Sequence, residues 1–555
     1  MNRAHSGSAA GRQICILFIF AFVTTCNAVA GMVSAKGDTV SGPRPNIILI
    51  VADDMGYSDA GCFGGEIATP NLDRLGEGGL RLTSFYNAGM CVASRTSLLS
   101  GRWHTDAGWG IKDGKTLPEA LAESGYRNYA VGKWHLEGHP MERGFDRFYG
   151  ILNGVTDYYV PNDHFRDGFE ALGEVDSGFY ATTAFTDAAI GFIRENNDLS
   201  GDEPFFLYLA YTAPHNPLQA PREAIRKYRG KYLDGWQAIR EARFARQKAM
   251  GIMGDAIELP PYPQNLPDWN TLSSAQKDLE DLRMATYAAM IDIMDQDIGR
   301  LLACLEKTGD LENTLILFMS DNGSDSFSVL DEEMIARDLL PGDRGSNYQP
   351  GRGWAYANNT PMRLYKISQH EGGVCTGAIA WWPAVIQAGQ ISHDAVHMID
   401  IMPTLVELGA RDAKPVETGS GLAGRSLVPL LMDKDWDNDR SLYFQFMDNR
   451  GLRTNDWRLA EVDANGWELY YLADDRTQVT DLAHSHPEVL KALAAEWDNW
   501  WLQFNNGQAY VPESTIPSPH YEPQGDRGSG VGYVPAAMPL RLKDTFPLPA
   551  STAGK

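Results

Sequence analysis

A cysteine and an arginine about one helical turn apart are the first candidates for chemistry in this sequence. They belong to the segment Cys91-Val92-Ala93-Ser94-Arg95-Thr96-Ser97-Leu98-Leu99-Ser100-Gly101-Arg102. The pattern predicts a short helix over 94–100 that ends at Gly101, with Leu98 and Leu99 facing a core. Cys91 then comes just before a helix N-terminus, where free N–H groups and the helix dipole favour anions. The segment indicates an anion pocket that holds a nucleophile; the alternative is a buried structural cysteine on a capped helix.

Four short apolar runs that end in polar residues are the second candidate. Runs this short and continuous, at 46–52, 129–131, 205–211 and 315–319, are typical of central strands in a mostly parallel sheet. Ligands of such sheets bind outside the carboxyl ends of the strands. We therefore expect the polar ends to meet at one edge. They are Asp53-Asp54, Gly132-Lys133-Trp134-His135, Thr212-Ala213-Pro214-His215 and Ser320-Asp321-Asn322.

Two of these ends carry hard oxygen donors. Asp53 and Asp54 follow the first run, and Asp321 and Asn322 follow the last. Adjacent carboxylates repel each other unless a cation lies between them, and ligand sets made only of oxygen favour Ca²⁺ or Mg²⁺. The residues predict a metal site, and the alternative is that each pair caps a helix or forms a turn.

The predicted fold class is α/β, with a large mostly parallel sheet sandwiched by helices. Helical patterns at 117–124, 182–196 and 279–308 separate the strands, which is typical of an open α/β sheet. A long surface loop is expected over 325–360 and a linker around 411–440. The large domain is predicted to span 44–425.

A smaller C-terminal antiparallel sheet plus helix is predicted from Ser441 onward. Short alternating strands are expected at 442–447, 457–462 and 467–471, with turns at 449–451 and 465–466 and a helix over 487–503. This small α+β domain is predicted to span 440–510. An extended tail over 511–555 follows, and we expect it to pack on the large domain.

Length and charge limit the architecture and the partners. The chain has 555 residues, which is too many for one compact core, and a formal net charge of −24. An acidic surface argues against nucleic acid and anionic membranes as partners. It does not exclude an anionic substrate, because a local basic pocket can override the global field.

The first 30 residues predict export to the periplasm or the medium. Residues 1–30 contain Arg3 and Arg12, an apolar run over 14–23 and the small-x-small site Ala28-Val29-Ala30, a pattern typical of a signal peptide. The run is short for a membrane span, no other stretch could serve as one, and Thr beside Cys26 disfavours a lipid anchor. The cysteines left after cleavage do not predict a disulfide-built fold. They are Cys62, Cys91, Cys304 and Cys375.

Together and in order, these motifs resemble the type I sulfatases, in which an active-site cysteine is converted to Cα-formylglycine. Cys-x-Ala-Ser-Arg and the trailing Ser-Gly-Arg at 91–102 are similar to the family signature, with Ala93 where the commoner form has Pro. The four strand ends and the segment from Lys366 to Glu371-Gly372-Gly373 extend the resemblance over 44–385. The stretch 351–361 looks like that of bacterial arylsulfatases.

The resemblance implies an alkaline-phosphatase-like sheet, a cofactor set and roles for the candidates. Cys91 would be converted to formylglycine by a maturation enzyme. One Ca²⁺ would be held by Asp53, Asp54, Asp321 and Asn322. The sulfate pocket would be lined by Arg95, Lys133, His135, His215 and Lys366, with His104 as a further substrate contact.

The implied reaction divides proton transfer between two histidines. One hydroxyl of the formylglycine hydrate would attack sulfur, aided by Arg95 and the metal, while His215 protonates the leaving alcohol. His135 would take the proton of the second hydroxyl, so that sulfate leaves and the aldehyde returns. The substrate would be a sulfated carbohydrate or an aryl sulfate.

Two other functions stay open at this point. A metal-dependent phosphatase or phosphodiesterase of the same wider fold usually has a Ser or Thr nucleophile and a His where this chain has Asn322. A non-catalytic carbohydrate-binding protein would have lost catalytic residues, and every expected one is present here. Glu137 stands where the sulfatases often have Gly, a departure that concerns the loop after His135.

Overall fold

The described part of the chain contains a large α/β unit and a small antiparallel sheet. The computed structural model describes residues 43–200, 203–328, 331–410, 421–462, 464–512, 539 and 542–548. The predicted signal peptide and residues 513–538 of the predicted tail lie outside the described residues. None of the helices in these ranges has both the length and the hydropathy that a bilayer span requires.

The large sheet is mixed and mostly parallel, as predicted. Its strand order is β10-β2-β9-β8-β1-β7-β3-β4-β5-β6, with β11 beside β2. The neighbours β8, β1, β7, β3 and β4 are all parallel, whereas β9 runs antiparallel to β2 and β8. The strands are β1 (Asn46–Asp53), β2 (Leu80–Tyr86), β3 (Arg127–Lys133), β4 (Arg147–Ile151), β5 (Phe165–Asp167), β6 (Glu170–Ala171), β7 (Phe205–Pro214), β8 (Thr314–Ser320), β9 (Cys375–Trp381), β10 (Gln390–Ser392), β11 (Val396–His397), β12 (Leu442–Phe446), β13 (Asn449–Arg453), β14 (Trp457–Glu461) and β15 (Glu468–Tyr471).

Helices cover both faces of this sheet. Alternate residues of β1 point to opposite sides, so that Ile48 and Ile50 pack in the core under α5 and α8, while Ile47 and Leu49 pack in the core under α2, α4 and α12. The helices are α1 (Pro70–Glu77), α2 (Cys91–Ser100), α3 (His104–Ala107), α4 (Leu117–Glu123), α5 (Ala181–Ser200), α6 (Arg222–Arg226), α7 (Gly235–Ala249), α8 (Ser274–Thr308), α9 (Asp331–Ala336), α10 (Gly351–Asn358), α11 (Glu371–Val374), α12 (Ile401–Gly409), α13 (Val428–Leu431), α14 (Pro487–Phe504) and α15 (Leu542–Thr545).

The prediction of a long surface loop over 325–360 is wrong. This stretch contains α9 and α10, and every residue of α10 is buried. The indole of Trp354 packs edge-on against Trp236 at 5.9 Å, and Arg283 pairs with Asp331 and donates to the Gln349 carbonyl. Polar residues can lie inside when their hydrogen bonds are satisfied there, and composition alone does not reveal such partners.

The small sheet has the order β12-β13-β14-β15, and all its pairs are antiparallel. The turn predicted at 449–451 is wrong, because Asn449 to Gly451 form the start of β13. The chain reverses earlier, at Met447 and Asp448, where Met447 has a φ of 50°. The turn at Asn465-Gly466 is confirmed, with a φ of 100° at Gly466 that favours glycine. Helix α14 packs on β13 and β14.

The described end of the tail packs on the large unit, as predicted for that part of the chain. Phe546 is fully buried, and its carbonyl accepts a hydrogen bond of 2.9 Å from Arg229 Nη2. Within the predicted linker, residues 411–420 lie outside the described residues, and α13 forms part of the remainder.

Candidate active site

The polar ends of four strands lie side by side at one edge of the large sheet. Strands β8, β1, β7 and β3 are consecutive neighbours, and their registers align Ala52 with Ser320 and Asp53 with Pro214. Gly132 allows β3 to approach β7, because a Cβ at this position would lie 1.9 Å from the Ala210 carbonyl oxygen. The structure thus brings together the residues that follow these strands.

Cys91 is the first residue of α2, three residues earlier than the predicted start of that helix. Met90 precedes it in extended conformation, and Gly101 ends the helix with a φ of 64°, as expected. The side chain is buried at the N-terminal end of the helix. Burial raises the pKa of the Cys91 thiol, although Lys133 and Lys366 oppose this effect. The unmodified side chain is therefore a protonated thiol, which is a weak nucleophile.

Arg95 lies one turn after Cys91 and is locked by four hydrogen bonds. Its Nε and Nη2 donate to Oδ2 of Asp321 at 3.0 and 2.7 Å, and its Nη1 donates to the Lys133 carbonyl at 3.0 Å and to the Tyr208 hydroxyl at 3.1 Å. The guanidinium is fully buried. A planar donor held in this way is preorganised to stabilise negative charge beside it.

Two lysines reach the aspartates that follow β1. Lys133 Nζ lies 2.7 Å from Asp53 Oδ2, and Lys366 Nζ lies 2.7 and 2.8 Å from the two carboxylate oxygens of Asp54. Both ammonium groups are nearly inaccessible to solvent. They supply buried positive charge next to Cys91, as a sulfate pocket requires.

The four predicted metal ligands are close together. Asn322 donates through Nδ2 to Asp54 Oδ1 at 2.6 Å, and the Asp54 N–H donates to Asp321 Oδ1 at 3.3 Å. Burial raises the pKa of Asp53 to about 8 against the opposing charge of Lys133, and the Asp321 carboxylate adds to the rise. Carboxylates crowded in this way are stabilised by a cation between them.

Two buried oxygens in this cluster have no hydrogen-bond partner among the described residues. They are Oδ1 of Asp53 and Oδ1 of Asn322. Orphaned buried oxygens are costly unless a ligand satisfies them, and hard oxygen donors fit Ca²⁺ or Mg²⁺. The donor set therefore fits the metal that the resemblance implies. His215 also has a ring nitrogen within reach of Asp53 and Asp54, a ligand position that the sequence did not suggest.

His135 follows β3 and has an uncommon backbone conformation, with a φ of 56°. Burial and the nearby charges of Lys133 and Arg95 together lower its pKa to about 2. Its Nδ1 is buried and unpaired within the described ranges. A neutral imidazole with a free ring nitrogen can accept a proton, which is what a general base must do.

His215 follows β7 and faces Asp54. Its Nε2 lies 3.5 Å from Asp54 Oδ2, and its Nδ1 lies 2.7 Å from the Asn216 carbonyl oxygen, so Nδ1 carries a proton. Burial lowers the pKa of this ring to about 3, while Asp54 opposes the decrease. The Asn216 contact fixes the orientation of the ring.

His104 contacts Trp109 and the small sheet. It begins α3, is buried, and packs edge-on against Trp109 at a centroid distance of 6.0 Å. Burial lowers its pKa to about 4, and the contact that opposes this comes from the backbone of Gln445 in the small sheet. Its predicted contact with substrate stays a prediction.

Sequence reasoning missed the residues that support the site from behind. Tyr208 lies in the middle of β7, within the apolar run that predicted this strand, and its hydroxyl accepts a hydrogen bond from Arg95. Glu371 is buried between Tyr86, whose hydroxyl lies 2.8 Å from Oε2, and Arg458. A tyrosine inside a strand and a glutamate beside two glycines give no local sign of these contacts.

Comparison with known proteins agrees with this geometry. The Sulfatase family profile matches residues 45–410. An uncharacterized sulfatase of Schizosaccharomyces pombe is 33% identical over 523 residues, covering 82% of this chain and 93% of that protein. An arylsulfatase of Klebsiella aerogenes is 31% identical over 444 residues, covering 73% of this chain and 94% of that protein.

Solved structures agree as well. The crystal structure of Ps i-CgsB in complex with k-i-k-neocarrahexaose is 26% identical in sequence and superposes with a TM-score of 0.63. The match covers 85% of this chain and 96% of that chain.

Proposed function

The chain belongs to the sulfatase family and is a sulfuric ester hydrolase, and we propose that it uses formylglycine at position 91 together with one Ca²⁺. The observation that carries the proposal is the position of Cys91. Cys91 is the first residue of α2 and lies next to three buried cations. Burial raises the pKa of its thiol, so the unmodified side chain is protonated. A protonated thiol is a weak nucleophile, and conversion to an aldehyde would give this position a hydroxyl nucleophile when hydrated. The cations are Arg95, Lys133 and Lys366.

The protein groups around position 91 have separable tasks. A formylglycine at position 91 would supply, as its hydrate, two hydroxyls on one carbon, one as the nucleophile toward sulfur and one to be deprotonated when sulfate is released. Arg95, Lys133 and Lys366 bind the anionic oxygens of the ester and stabilise the charge that develops on them. His215, once its Nε2 is protonated between Asp54 and the bound ester, donates that proton to the leaving alcohol. His135, whose Nδ1 has no partner among the described residues, accepts a proton.

One Ca²⁺ would be held by the donors that follow β1 and β8. The unpaired Oδ1 atoms of Asp53 and Asn322, with the carboxylates of Asp54 and Asp321, support this assignment. When bound, the ion supplies positive charge to the sulfate oxygens and neutralises the aspartates. Asn322 also argues against the phosphatase alternative, whose second metal is usually held by a His at this position.

The group that carries the sulfate is a sugar ring in this proposal. Trp109 is half exposed and packs edge-on against Phe446 at 5.7 Å. Phe446 packs in a small apolar cluster with Ala93 of α2 and with Ile367, which follows Lys366. The cluster therefore forms an apolar wall next to the pocket, and aromatic faces of this kind bind the C–H face of sugar rings. The saccharide complex of Ps i-CgsB supports the same class.

Export is also part of the proposal. Residues 1–30 have the features of a signal peptide, and the enzyme would act in the periplasm or the medium. A formylglycine-generating enzyme would have to reach the chain before it folds, because Cys91 is buried in the folded protein.

Mass spectrometry of the peptide that contains Cys91 tests the proposal. In protein made in cells with a maturation system, we expect the cysteine mass to be replaced by that of the aldehyde. Cys91→Ala should abolish hydrolysis and leave the unfolding temperature nearly unchanged, and Cys62→Ala is the control for the loss of a buried thiol. Fully active protein with an intact thiol at position 91 would refute the formylglycine assignment.

A further inference from the structure

The loop that carries Lys366 contains two residues whose backbone conformation is strained. It connects α10 to α11 and presents Lys366 Nζ to both oxygens of Asp54. On either side of the lysine, Leu364 and Ile367 have φ values of 65° and 79°. Bulky and β-branched residues rarely adopt this left-handed conformation, and it persists only where surrounding contacts impose it. Contacts with the rest of the protein must therefore hold the loop.

One carboxylate of the small sheet closes the base of this loop. Oε2 of Glu468, on β15, accepts a hydrogen bond of 2.7 Å from His370 Nε2 and one of 3.0 Å from Arg363 Nη1. Tyr470 donates its hydroxyl to the same oxygen. Arg363 precedes Lys366 by three residues and His370 follows it by four, so a single oxygen joins the two ends of the loop.

A second set of contacts holds the C-terminal end of the loop, at Gln369 and Glu371. Arg458, on β14, donates to the Gln369 carbonyl, and its Nε lies 3.2 Å from Glu371. Gln478 accepts the Glu371 N–H at 2.8 Å. All four residues are buried. The small sheet and the segment after β15 therefore contact the Gln369 carbonyl, His370 and Glu371.

The charge of Glu468 is well defined. Its Oε2 faces His370 Nε2, so this nitrogen carries a proton, while the Ser368 hydroxyl lies 3.2 Å from His370 Nδ1. Burial alone would raise the pKa of Glu468, but His370 and Arg363 outweigh it and bring that pKa below its ordinary value. Burial lowers the pKa of His370, against the opposing charge of Glu468. Glu468 is thus an anion that accepts hydrogen bonds from the His370 ring and from the Arg363 guanidinium.

We propose that Glu468 is a positioning residue for Lys366, and that the small sheet is in this way part of the active site. The inference rests on the proposed function, in which Lys366 binds the sulfate oxygens. Glu468 itself does not reach Asp54 or Cys91; it fixes the ends of the loop that presents the lysine. Removing its carboxylate takes this acceptor from the buried His370 and Tyr470 and breaks the link from Arg363 to His370, so that Leu364 and Ile367 can leave the left-handed conformation.

A double-mutant cycle between Glu468 and Lys366 tests the proposal. Glu468→Ala should lower kcat/KM by up to about 100-fold, the loss expected when a catalytic group is displaced by about 1 Å. In the Lys366→Ala background the same change should cause no further loss, because a residue that acts through Lys366 has nothing left to position. Glu468→Gln, which keeps an acceptor oxygen, should recover part of the activity.

The affinity for inorganic sulfate, measured by calorimetry, gives a second measure of the coupling between Glu468 and Lys366. It is measured on the wild type, the two single variants and the double variant, and it replaces the rate if hydrolysis by Lys366→Ala falls below detection. We expect sulfate affinity to fall with Glu468→Ala only when Lys366 is present. Glu461→Ala is the matched control: Glu461 is a buried carboxylate of the same sheet that pairs with Arg450, away from the loop.

The possible results distinguish a failure of the positioning role of Glu468 from a failure of the placing of Lys366 in the sulfate pocket. Equal losses from Glu468→Ala with and without Lys366 would overturn the positioning role, and so would an equally large loss in Glu461→Ala. If Lys366→Ala left both hydrolysis and sulfate affinity unchanged, the placing of Lys366 in the sulfate pocket would be wrong, and with it the positioning role of Glu468. The formylglycine assignment would stand or fall separately, on the mass of the peptide that contains Cys91. Loss of the folded state in Glu468→Ala would leave Glu468→Gln to carry the cycle.

Discussion

Buried charges of both signs surround Cys91. The three buried cations of the pocket face three buried carboxylates, and a divalent cation would give the pocket a net positive charge. A sulfate ester is an anion, so this excess favours its binding and the transition state that follows. The cations are Arg95, Lys133 and Lys366, and the carboxylates are Asp53, Asp54 and Asp321.

The acid role of His215 predicts a dependence on the leaving group. A sugar alcohol is a poor leaving group without a proton, whereas a nitrophenolate leaves readily. General acid catalysis is typically worth ~10²–10⁴-fold in rate. We therefore expect His215→Ala to lower kcat on a sulfated sugar by about that factor and to have a much smaller effect on an aryl sulfate, as measured by steady-state kinetics on both substrates.

The base role of His135 predicts a different defect. His135→Ala should retain sulfate on the peptide that contains position 91 after one turnover, which mass spectrometry of the quenched enzyme can detect. His164→Ala, which removes an exposed histidine, should behave as the wild type. Equal losses of His215→Ala on both substrates, together with no retained sulfate in His135→Ala, would reject this division of proton transfer while leaving the family assignment intact.

The metal assignment predicts that Asp321→Asn loses the ion. The substitution keeps the shape of the side chain but removes a charge that also holds Arg95 at 2.7 Å. We expect Ca²⁺ to raise the unfolding temperature of the wild type but not of the variant, and elemental analysis to find one Ca²⁺ per chain only in the wild type. Asp187→Asn is the control, because Asp187 is an exposed partner of Arg300. Finding two zinc ions per chain would favour the phosphatase alternative.

At the scale of elements, α1 depends on a residue of α8. The side chain of Thr69, which precedes α1, makes no capping hydrogen bond. Instead Asp295 of α8 accepts the backbone N–H groups of Asn71 and Leu72 at 3.1 and 2.8 Å. The free N–H groups at the start of α1 are thus capped by a carboxylate of another helix, in place of a local N-cap side chain.

This contact predicts a stability loss without a loss of chemistry. Asp295→Ala leaves buried N–H groups unsatisfied, which should lower the free energy of unfolding by about 1–3 kcal/mol. Asp295→Asn keeps one acceptor oxygen and should lose less. Urea denaturation measures both, and kcat/KM below the unfolding transition should match that of the wild type. A wild-type unfolding curve for Asp295→Ala would contradict the capping role.

At the scale of the whole molecule, segments remote in sequence close the large unit. Phe546 packs fully buried against the region of α6, where Arg229 donates to its carbonyl and also pairs with Asp278 and Asp281. The small sheet attaches to the large unit through Glu468 and Arg458. This second attachment brings residues from beyond position 440 onto the loop that carries Lys366.

The attachment of Phe546 predicts that the C-terminal segment contributes to stability. Phe546→Ala should lower the free energy of unfolding by roughly 3 kcal/mol, near the lower end for a buried phenylalanine. Phe169→Ala removes an exposed phenylalanine and should change little. Thermal unfolding measures both variants. Equal unfolding temperatures for Phe546→Ala and the wild type would mean that this segment does not hold the fold.

The sequence by itself determined the central strands, the long helices and the clustering of their polar ends. These depend on local periodicity and on the rule that the carboxyl ends of parallel strands share one edge. The runs before Asp53, His135, His215 and Asp321 therefore predicted both the strands and their shared edge. The turn at Asn465-Gly466 could also be predicted, because a short segment encodes it.

Only the tertiary structure decided which distant residues complete the site. The start of α2 at Cys91, the bond between Tyr208 and Arg95, and the hold of Glu468 on the Lys366 loop all depend on pairings between segments far apart in the chain. The burial of α10 and of Asp331 likewise depends on partners such as Arg283 and Trp236 that no local pattern reveals. Periodicity records which face of an element is apolar, whereas the partner of a buried polar group is set by how the elements pack.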